Sequence, residues 1–168
     1  KIRAARRAWS RLASTRYGVS PDRGGVLQFR SYTAGYTETR AEPLNNVVRV
    51  ALEALAAVLG GSEYIGTHSW DEAVSIPRES AAVLALRTQQ ILAHETGLRD
   101  TVDPLGGAYF LESLTDEIDA GIVRLVERID RMGGAVTAIE SGYIQQEIAD
   151  SAYRFQLGRE SGERVLVG

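Results

Sequence analysis

The chain has 168 residues, of which 44% are hydrophobic and 24% are charged, and its formal net charge at pH 7 is −3. These values are typical of a globular protein with its own hydrophobic core, and no apolar run approaches the length of a membrane span. The lack of cysteine excludes disulfides, thiol catalysis and thiolate metal sites. We therefore expect a cytoplasmic protein that acts away from membranes.

The N-terminal 23 residues are strongly basic, although the chain as a whole is acidic. Apolar residues at helical spacing predict a helix over residues 1–17 that ends at Gly18. One interpretation is a basic arm that binds a polyanion such as nucleic acid. We favour the interpretation of a helix whose arginines are solvated or paired with acidic neighbours, because the negative net charge argues against general affinity for nucleic acids.

Helix and strand patterns alternate over residues 24–97. We predict strands over the short apolar runs at residues 26–29 and 62–67. We predict helices over residues 44–59 and 77–95. The first of these helices is apolar almost all round, which is expected of a helix packed between a sheet and other helices. Helices and strands that alternate with short connections are typical of a parallel α/β sheet or barrel.

The last third of the chain has a different pattern, with predicted helices over residues 114–132 and 144–157. We therefore expect two parts: the βα units in residues 1–100, and a helical extension in residues 101–168 that packs on them. The first residue is not Met, so we expect the chain to be a piece of a longer protein.

Polar side chains stand at the ends of both predicted strands. In a βα barrel the functional groups lie where the strands end and the following loops begin. A site at this face would be lined by these side chains: Arg30, Tyr32, Thr33, Thr67, His68 and Glu72. The same polarity is also expected of ordinary solvated loops, so the pattern alone leaves both interpretations open.

Three motifs resemble those of a known family: N-N-V-V-R at residues 45–49, R-T-Q at residues 87–89 and D-P-x-G-G at residues 103–107. With them, nearly the whole chain resembles the substrate-binding barrel of the adenosylcobalamin-dependent acyl-CoA mutases, the methylmalonyl-CoA mutase family. The resemblance implies an α/β fold, namely the C-terminal portion of a TIM-type (β/α)8 barrel followed by a helical extension.

The resemblance also implies a cofactor site at the strand ends. The family's patterns H-x-Q-T-A-G and L-H-T-N-x-x-D-E-A stand here as R-S-Y-T-A-G and I-G-T-H-S-W-D-E-A. The asparagine and the glutamate that hold the ribose of the adenosyl group in the family map to His68 and Glu72. The family's glutamine beside the adenosyl group maps to Tyr32. Thr67 keeps the family's pattern and joins the same cofactor-binding set.

Two further positions are implied to face the coenzyme A arm of the substrate: Arg30, where the family has a histidine, and Glu63, where it has a glutamine. The positions that depart from the family are Arg30, Tyr32, Glu63, Gly66 and His68. An arginine pairs with a carboxylate or phosphate more strongly than the histidine it replaces. The departures indicate either a different acyl group or a loss of catalysis.

By resemblance, the protein is an isomerase that carries out a radical carbon-skeleton isomerisation of an acyl-CoA with adenosylcobalamin. The family's catalytic tyrosine and histidine belong to earlier strands, so no catalytic residue is predicted in this chain. No metal site is predicted, because the chain has two histidines and no cysteine. His94 lies in a helical pattern and lacks the aspartate of the family's cobalt-ligating motif, so another domain or chain is expected to supply the cobalt ligand.

The expected partners are an acyl-CoA substrate, a cobalamin-binding domain or subunit, and a second mutase subunit in a dimer. Neither nucleic acid nor a membrane is expected. Two alternatives stay open. One is a non-catalytic paralogous subunit of such a mutase, which the altered strand ends indicate. The other is an unrelated α/β module that binds a polyanion through its basic first helix.

Overall fold

A computed structural model describes the backbone of residues 1–168 and the side chains of residues 1–20 and 22–168. The helices and strands along this backbone are α1 Ile2–Tyr17, β1 Arg30–Tyr32, α2 Asn45–Leu59, β2 Tyr64–Gly66, α3 Glu79–His94, α4 Tyr109–Arg131, α5 Ala135–Glu140 and α6 Tyr143–Glu160. The chain divides into two compact units, Lys1–Asp119 and Ala120–Gly168, and the division falls within α4. The predicted division after residue 100 stays a prediction.

The two strands form a small parallel sheet, with Arg30 opposite Tyr64 and Tyr32 opposite Gly66. Parallel strands need a crossover connection, and α2 provides it. Helix α3 follows β2, and α2 contacts both β2 and α3. The alternation of helices with parallel strands is therefore confirmed, in a mostly helical α/β fragment.

The first strand lies later in the chain than the sequence pattern predicted, so its predicted bounds were wrong. Residues 26–29 precede β1, and Val26 is 65% exposed. The Phe29 carbonyl accepts hydrogen bonds from the N–H groups of Glu63 (3.2 Å) and Tyr64 (3.3 Å). The Phe29 N–H, however, donates to the Glu63 carboxylate (2.7 Å). The backbone pairing with β2 therefore begins at the Phe29 carbonyl. It does not begin earlier, because the Phe29 N–H is already bonded to the Glu63 carboxylate.

Small side chains form the core of the first unit. Ala4 of α1, Ala54 of α2 and Ala81 of α3 are fully buried, and such small residues let neighbouring elements approach closely. The prediction that α2 is covered almost all round was wrong, because Val48 and Leu52 are each 60% exposed. The contacts of α2 with β2 and α3 leave the face that carries Val48 and Leu52 open.

The ends of α1 and α3 agree with the sequence pattern to within two residues. Helix α1 ends at Gly18, which takes the left-handed conformation (φ 62°) and donates its N–H to the Ser14 carbonyl (3.1 Å). Helix α4 begins at Tyr109 instead of residue 114. Its start is stabilised by the Gly107 N–H, which donates to the Glu112 carboxylate (3.0 Å), a contact that apolar periodicity does not reveal.

Arginines of α1 pair with carboxylates at and just before α4. We call this set the arginine seam: Arg3 with Asp103 and Glu112, Arg7 with Asp116, and Arg11 with Asp119. The Arg11 pair is bidentate (2.9 and 2.8 Å), and its hydrogen bonds lower the pKa of Asp119. The interpretation of these arginines as paired with acidic neighbours is therefore confirmed.

The second unit is held by contacts of its own. Arg128 donates to the Tyr143 hydroxyl (3.2 Å). The Arg164 guanidinium lies 5.1 Å from the centroid of the Phe155 ring, which is a cation–π distance. Both predicted helices of this region are confirmed as α4 and α6, and α5 is a short helix between them. No helix along the described chain has the length and apolar character needed to cross a membrane.

Candidate functional site

The carboxyl ends of the two strands are joined by backbone and side-chain hydrogen bonds. The Thr33 N–H donates to the Gly66 carbonyl (3.0 Å), which extends the ladder by one residue. The buried Thr33 hydroxyl then accepts from the His68 N–H (2.8 Å). Thr33 thereby fixes where the second loop leaves β2, and it sets the position of the imidazole of His68.

Two of the departures from the family pattern touch each other. Tyr32 lies opposite Gly66 in the sheet, and a Cβ atom on Gly66 would lie 2.4 Å from the Cδ1 and Cε1 atoms of the Tyr32 ring. The same ring lies 5.9 Å from the Tyr64 ring, centroid to centroid. The Tyr32 side chain therefore occupies the space above Gly66, and the glycine is the residue that makes this placement possible.

The Thr67 hydroxyl attaches the end of β2 to α3. It donates to the Ala85 carbonyl (2.8 Å) and accepts from the side-chain amide of Gln89 (2.8 Å). Gln89 belongs to the R-T-Q motif, so the structure gives that motif a positioning role. The cofactor-binding role of Thr67 stays a prediction, since its donor and one acceptor position are used within the fold.

Helix α2 holds the loop that follows β1. The Glu53 carboxylate accepts from the Ala34 N–H (2.6 Å) and from the Thr37 hydroxyl (2.7 Å). Both contacts fix the loop on the side where it passes the imidazole of His68.

Asn46 of the N-N-V-V-R motif joins the two strand-end loops and is fully buried. Its amide oxygen accepts from the Thr39 N–H (3.0 Å) and from Arg49 (2.8 Å). Its amide nitrogen donates to the carbonyls of Thr39 (2.9 Å) and Trp70 (3.0 Å). A buried amide with its donors and acceptor satisfied is a rigid anchor, so this motif sets the distance between the loops.

Asp71 and Glu72 have different environments although they are adjacent. Asp71 is 2% exposed, and its carboxylate accepts from the Arg78 N–H at the start of α3 (3.1 Å). Burial is the largest single influence and opposes ionisation, but the Arg78 N–H, the Ser69 side chain, the Asp71 backbone and the Arg78 charge together outweigh it and lower the pKa of Asp71. Asp71 therefore anchors α3, whereas Glu72 is exposed and its carboxylate is accessible at the surface of the site.

Glu38 is a buried carboxyl group that sequence reasoning missed. Its side chain is 1% exposed, and neither carboxyl oxygen has a hydrogen-bond partner among the described residues. Burial raises the pKa of Glu38 from 4.5 to about 7, and the negative charges of Glu72, Glu53 and Asp71 add to this effect. No pattern in the sequence marks Glu38, because a glutamate in a polar loop normally faces solvent.

The imidazole of His68 lies beside Glu38. The distance from His68 Nδ1 to Glu38 Oε1 is 3.6 Å, and the His68 side chain is 32% exposed. A Cβ atom on Gly35 would lie 3.3 Å from the Cε1 and Nδ1 atoms of this ring, so any larger residue there would press on the imidazole. His68 is thus enclosed on the side of Nδ1 and partly open elsewhere.

A cavity of about 300 Å³ lies between this loop and α3, and we call it the strand-end cavity. Its lining includes Thr67, His68, Ser69, Glu72 and Gln89. Of the sequence-predicted residues, Thr67, His68 and Glu72 thus come together at this cavity. Thr33 is joined to them through the His68 N–H, whereas Tyr32 is not among the lining residues. The described side chains hold no cluster of three or more histidine, aspartate and glutamate residues suited to a metal ion.

Arg30 and Glu63 lie toward the amino ends of the strands, away from this cavity. The Arg30 guanidinium lies 5.9 Å from the centroid of the Tyr64 ring. The Phe29 N–H and the Arg6 guanidinium (2.6 Å) both donate to Glu63, and they lower the pKa of its carboxyl group. Their predicted contact with the coenzyme A arm stays a prediction.

Comparison with known proteins finds one family along the entire chain. The family model described as methylmalonyl-CoA mutase matches residues 1–168. The chain is 42% identical over 168 residues to the 2-hydroxyisobutanoyl-CoA mutase large subunit of Aquincola tertiaricarbonis, which covers 100% of this chain and 30% of that protein. It is 40% identical over 167 residues to methylmalonyl-CoA mutase of Escherichia coli, and the match covers 99% of this chain and 23% of that protein.

The human mitochondrial methylmalonyl-CoA mutase is 36% identical over 168 residues, with 100% of this chain and 22% of that protein covered. The chain thus spans between about a fifth and a third of the length of these curated relatives.

Proposed function

This chain belongs to the methylmalonyl-CoA mutase family, and on that premise we propose that it forms part of an acyl-CoA mutase, an isomerase that rearranges the carbon skeleton of an acyl-CoA thioester. The observation that carries the proposal is the match of the whole chain to the family model, together with 36% to 42% identity to named mutases. Family membership also removes the alternative of an unrelated polyanion-binding module.

We place the chain at the end of a TIM-type (β/α)8 barrel, with residues 101–168 as a helical extension that packs on it. Support comes from the parallel pair β1 and β2, their crossover helix α2, and the following helix α3. In such a barrel the active site is built at the carboxyl ends of the strands, which here are Tyr32 and Gly66.

The proposed cofactor is adenosylcobalamin, with the ribose of its adenosyl group held by Glu72 and His68. The donor set fits a ribose, because an exposed carboxylate accepts hydrogen bonds from two hydroxyl groups and an imidazole supplies a further one. The His68 side chain is 32% exposed, with its ring open away from Nδ1, and both residues line the strand-end cavity. Tyr32 and Thr67 complete the proposed wall of this site.

When bound, adenosylcobalamin supplies the radical chemistry that starts the rearrangement. The residues of this chain bind and orient the nucleoside and exclude water from it. The cobalt ligand and the catalytic tyrosine and histidine come, in this proposal, from other parts of the protein or from a second subunit.

We propose that Arg30 and Glu63 face the coenzyme A arm. The Arg30 guanidinium is exposed at the amino end of β1 and has the geometry to bind a phosphate bidentately. Glu63 keeps its carboxylate charge through Arg6 and the Phe29 N–H, so its proposed role is to accept hydrogen bonds from the arm.

The proposed partners are a cobalamin-binding domain or subunit and a second mutase subunit in a dimer, in the cytoplasm. The relative from Aquincola tertiaricarbonis is named a large subunit, which supports an assembly from separate chains.

The test is an isomerisation assay by mass spectrometry with the complete protein, its cobalamin-binding partner, adenosylcobalamin and a panel of branched acyl-CoA thioesters. Rearrangement of one thioester would support the proposal and name the substrate. A second assay measures adenosylcobalamin affinity in Glu72→Ala, with Glu95→Ala as the matched control. Glu95 is an exposed carboxylate at the C-terminal end of α3, beyond Gln89, and is not among the residues that line the strand-end cavity. Unchanged affinity in Glu72→Ala would overturn its assignment.

A second candidate function, a non-catalytic paralogous subunit, is favoured by the altered strand ends at Tyr32, Gly66 and His68. Such a subunit would assemble with its partners and turn over no thioester in the same assay. Adenosylcobalamin binding without turnover would leave the site assignment in place and identify the protein as this non-catalytic form.

A further inference from the structure

The carboxyl group of Glu38 lacks the partners that a buried charge needs. Its side chain is 1% exposed, and neither oxygen accepts or donates a hydrogen bond among the described residues. An isolated carboxylate in such a place is strongly disfavoured, so the group either holds a proton or shares one with a neighbour.

His68 is the neighbour with which a proton can be shared. Its Nδ1 atom is buried, lacks a hydrogen-bond partner and lies 3.6 Å from Glu38 Oε1. Thr33 fixes its backbone (2.8 Å), and Gly35 leaves only the room that the ring needs. A small change in side-chain rotation brings the two atoms within hydrogen-bond distance.

The charges around the pair favour retention of that proton. Glu72, Glu53 and Asp71 each act on Glu38 as a negative charge, and Arg49 is the opposing positive charge. Arg49 is also engaged by Asn46 and Thr39 in hydrogen bonds. The surplus of negative charge means that loss of the proton leaves a buried carboxylate facing like charges.

We propose that Glu38 and His68 share one proton, and that Glu38 is a positioning residue which keeps Nε2 of His68 a hydrogen-bond donor toward the strand-end cavity. With the proton present, the pair is either imidazolium with carboxylate or imidazole with carboxylic acid. In both forms Nδ1 bonds to the carboxyl group and Nε2 carries hydrogen. Without the proton, the carboxylate retains the Nδ1 hydrogen, and Nε2 becomes an acceptor.

The identity of the ligand rests on the proposed function, a nucleoside ribose. If Glu72 accepts the hydrogen atoms of both ribose hydroxyls, the hydroxyl oxygens are left as acceptors. The second group at the site must then donate, which the side-chain amide of an asparagine is able to do. His68 donates from Nε2 only while the pair holds its proton, so the Glu38 carboxyl group is what allows a histidine to take the asparagine's place.

The first experiment tests the pair without cofactor. Hydrogen–deuterium exchange at the imidazole C2 position, followed by mass spectrometry of the complete subunit across pH, reports the protonation of each histidine. We expect the His68 profile to change in Glu38→Gln and in Glu38→Leu, because both variants remove the carboxyl group that lies 3.6 Å from Nδ1. His94, exposed at the end of α3, serves as an internal control. An unchanged His68 profile in a folded variant would overturn the pair.

The second experiment measures adenosylcobalamin affinity from pH 6 to pH 9 in the assembled protein. We expect wild-type affinity to fall about tenfold as the pair loses its proton, which is the loss of one hydrogen bond. His68→Asn should bind independently of pH, and adding Glu38→Gln to that variant should change nothing further. The positioning role would be overturned if the wild-type affinity for adenosylcobalamin did not depend on pH. It would also be overturned if Glu38→Gln changed that affinity equally in the wild type and in the His68→Asn variant. If the wild type binds no adenosylcobalamin at any pH, the proposed function fails, and the exchange profile alone decides the pair.

Discussion

The arginine seam and the strand-end region both contain charged side chains of the first unit, but these side chains are paired in the seam and left unpaired at Glu38. In the seam, guanidinium groups of α1 meet carboxylates directly, as in the bidentate pair of Arg11 and Asp119. At the strand ends, Glu38 and His68 keep buried polar atoms without hydrogen-bond partners. Arginine–carboxylate pairs hold elements together, whereas a buried carboxyl group with neither oxygen hydrogen-bonded needs a separate explanation.

The largest effect is expected from the buried anchor that supports the strand-end region. Asn46→Ala removes hydrogen bonds to Thr39, Trp70 and Arg49, and it should lower the free energy of unfolding by about 4 kcal/mol. Asn45→Ala is the matched control, since its amide bonds only to the exposed Glu42 carboxylate among the contacts described, and should cost less than about 0.5 kcal/mol. Urea unfolding of the complete subunit measures both, and equal midpoints would contradict the anchor.

The next effect concerns the pH dependence of stability. Because burial raises the folded-state pKa of Glu38 from 4.5 to about 7, the folded protein holds a proton that the unfolded chain releases. The stabilisation is complete below about pH 4.5 and is lost as the pH rises through about 7. Glu38→Gln imitates the protonated group, so it should be more stable than wild type by about 3 kcal/mol at pH 8 and equal to it at pH 4. Thermal unfolding across pH tests this, and a constant difference would argue against it.

A smaller effect is expected where Tyr32 covers Gly66. A Cβ atom at residue 66 would lie 2.4 Å from the Tyr32 ring, and this exposed ring must turn away and lose its contact with Tyr64. Gly66→Ala should therefore cost about 1 kcal/mol more in wild type than in Tyr32→Ala. A double-mutant cycle on urea unfolding measures the difference. Equal costs in the two backgrounds would mean that the ring and the glycine are independent.

The smallest effects are expected in the seam. The Arg11–Asp119 pair should show a coupling energy of about 1 kcal/mol, and the more exposed Arg7–Asp116 pair about 0.3 kcal/mol. Because Arg11 lowers the pKa of Asp119 below its ordinary 3.8, the first coupling is present above about pH 4 and is lost as the pH falls through the lowered pKa. Double-mutant cycles at pH 7 and pH 2 test this. A coupling that persists at pH 2 would contradict it.

Much of the fold follows from local sequence patterns. The apolar spacing in α1 and α3 and their glycine stops define these helices, because helix formation depends on residues close in the chain. The start of β1 does not follow in this way. It depends on the Glu63 carboxylate, which takes the Phe29 N–H from a position 34 residues away, and no local pattern encodes such a contact.

The site was predictable in part for the same reason. The positions of His68 and Glu72 came from matching motifs, which carry long-range information. Glu38 has no motif and stands in a polar loop, so its burial emerges only when α2 and the loop after β2 enclose it. The contact between Tyr32 and Gly66 likewise follows only from the register of the two strands. In the sequence, each residue is a separate departure from the family's pattern.

The sequence separations within the arginine seam bear on how the chain is made. Arg7 and Asp116 are 109 residues apart, and Arg11 and Asp119 are 108 residues apart. At a translation rate of about 5–20 residues per second, roughly 5 to 20 s pass between the synthesis of the two sides. During that interval the basic face of the first helix has no acidic partner from α4. The nascent chain therefore presents a row of unpaired arginines to the ribosome and to chaperones before the seam can close.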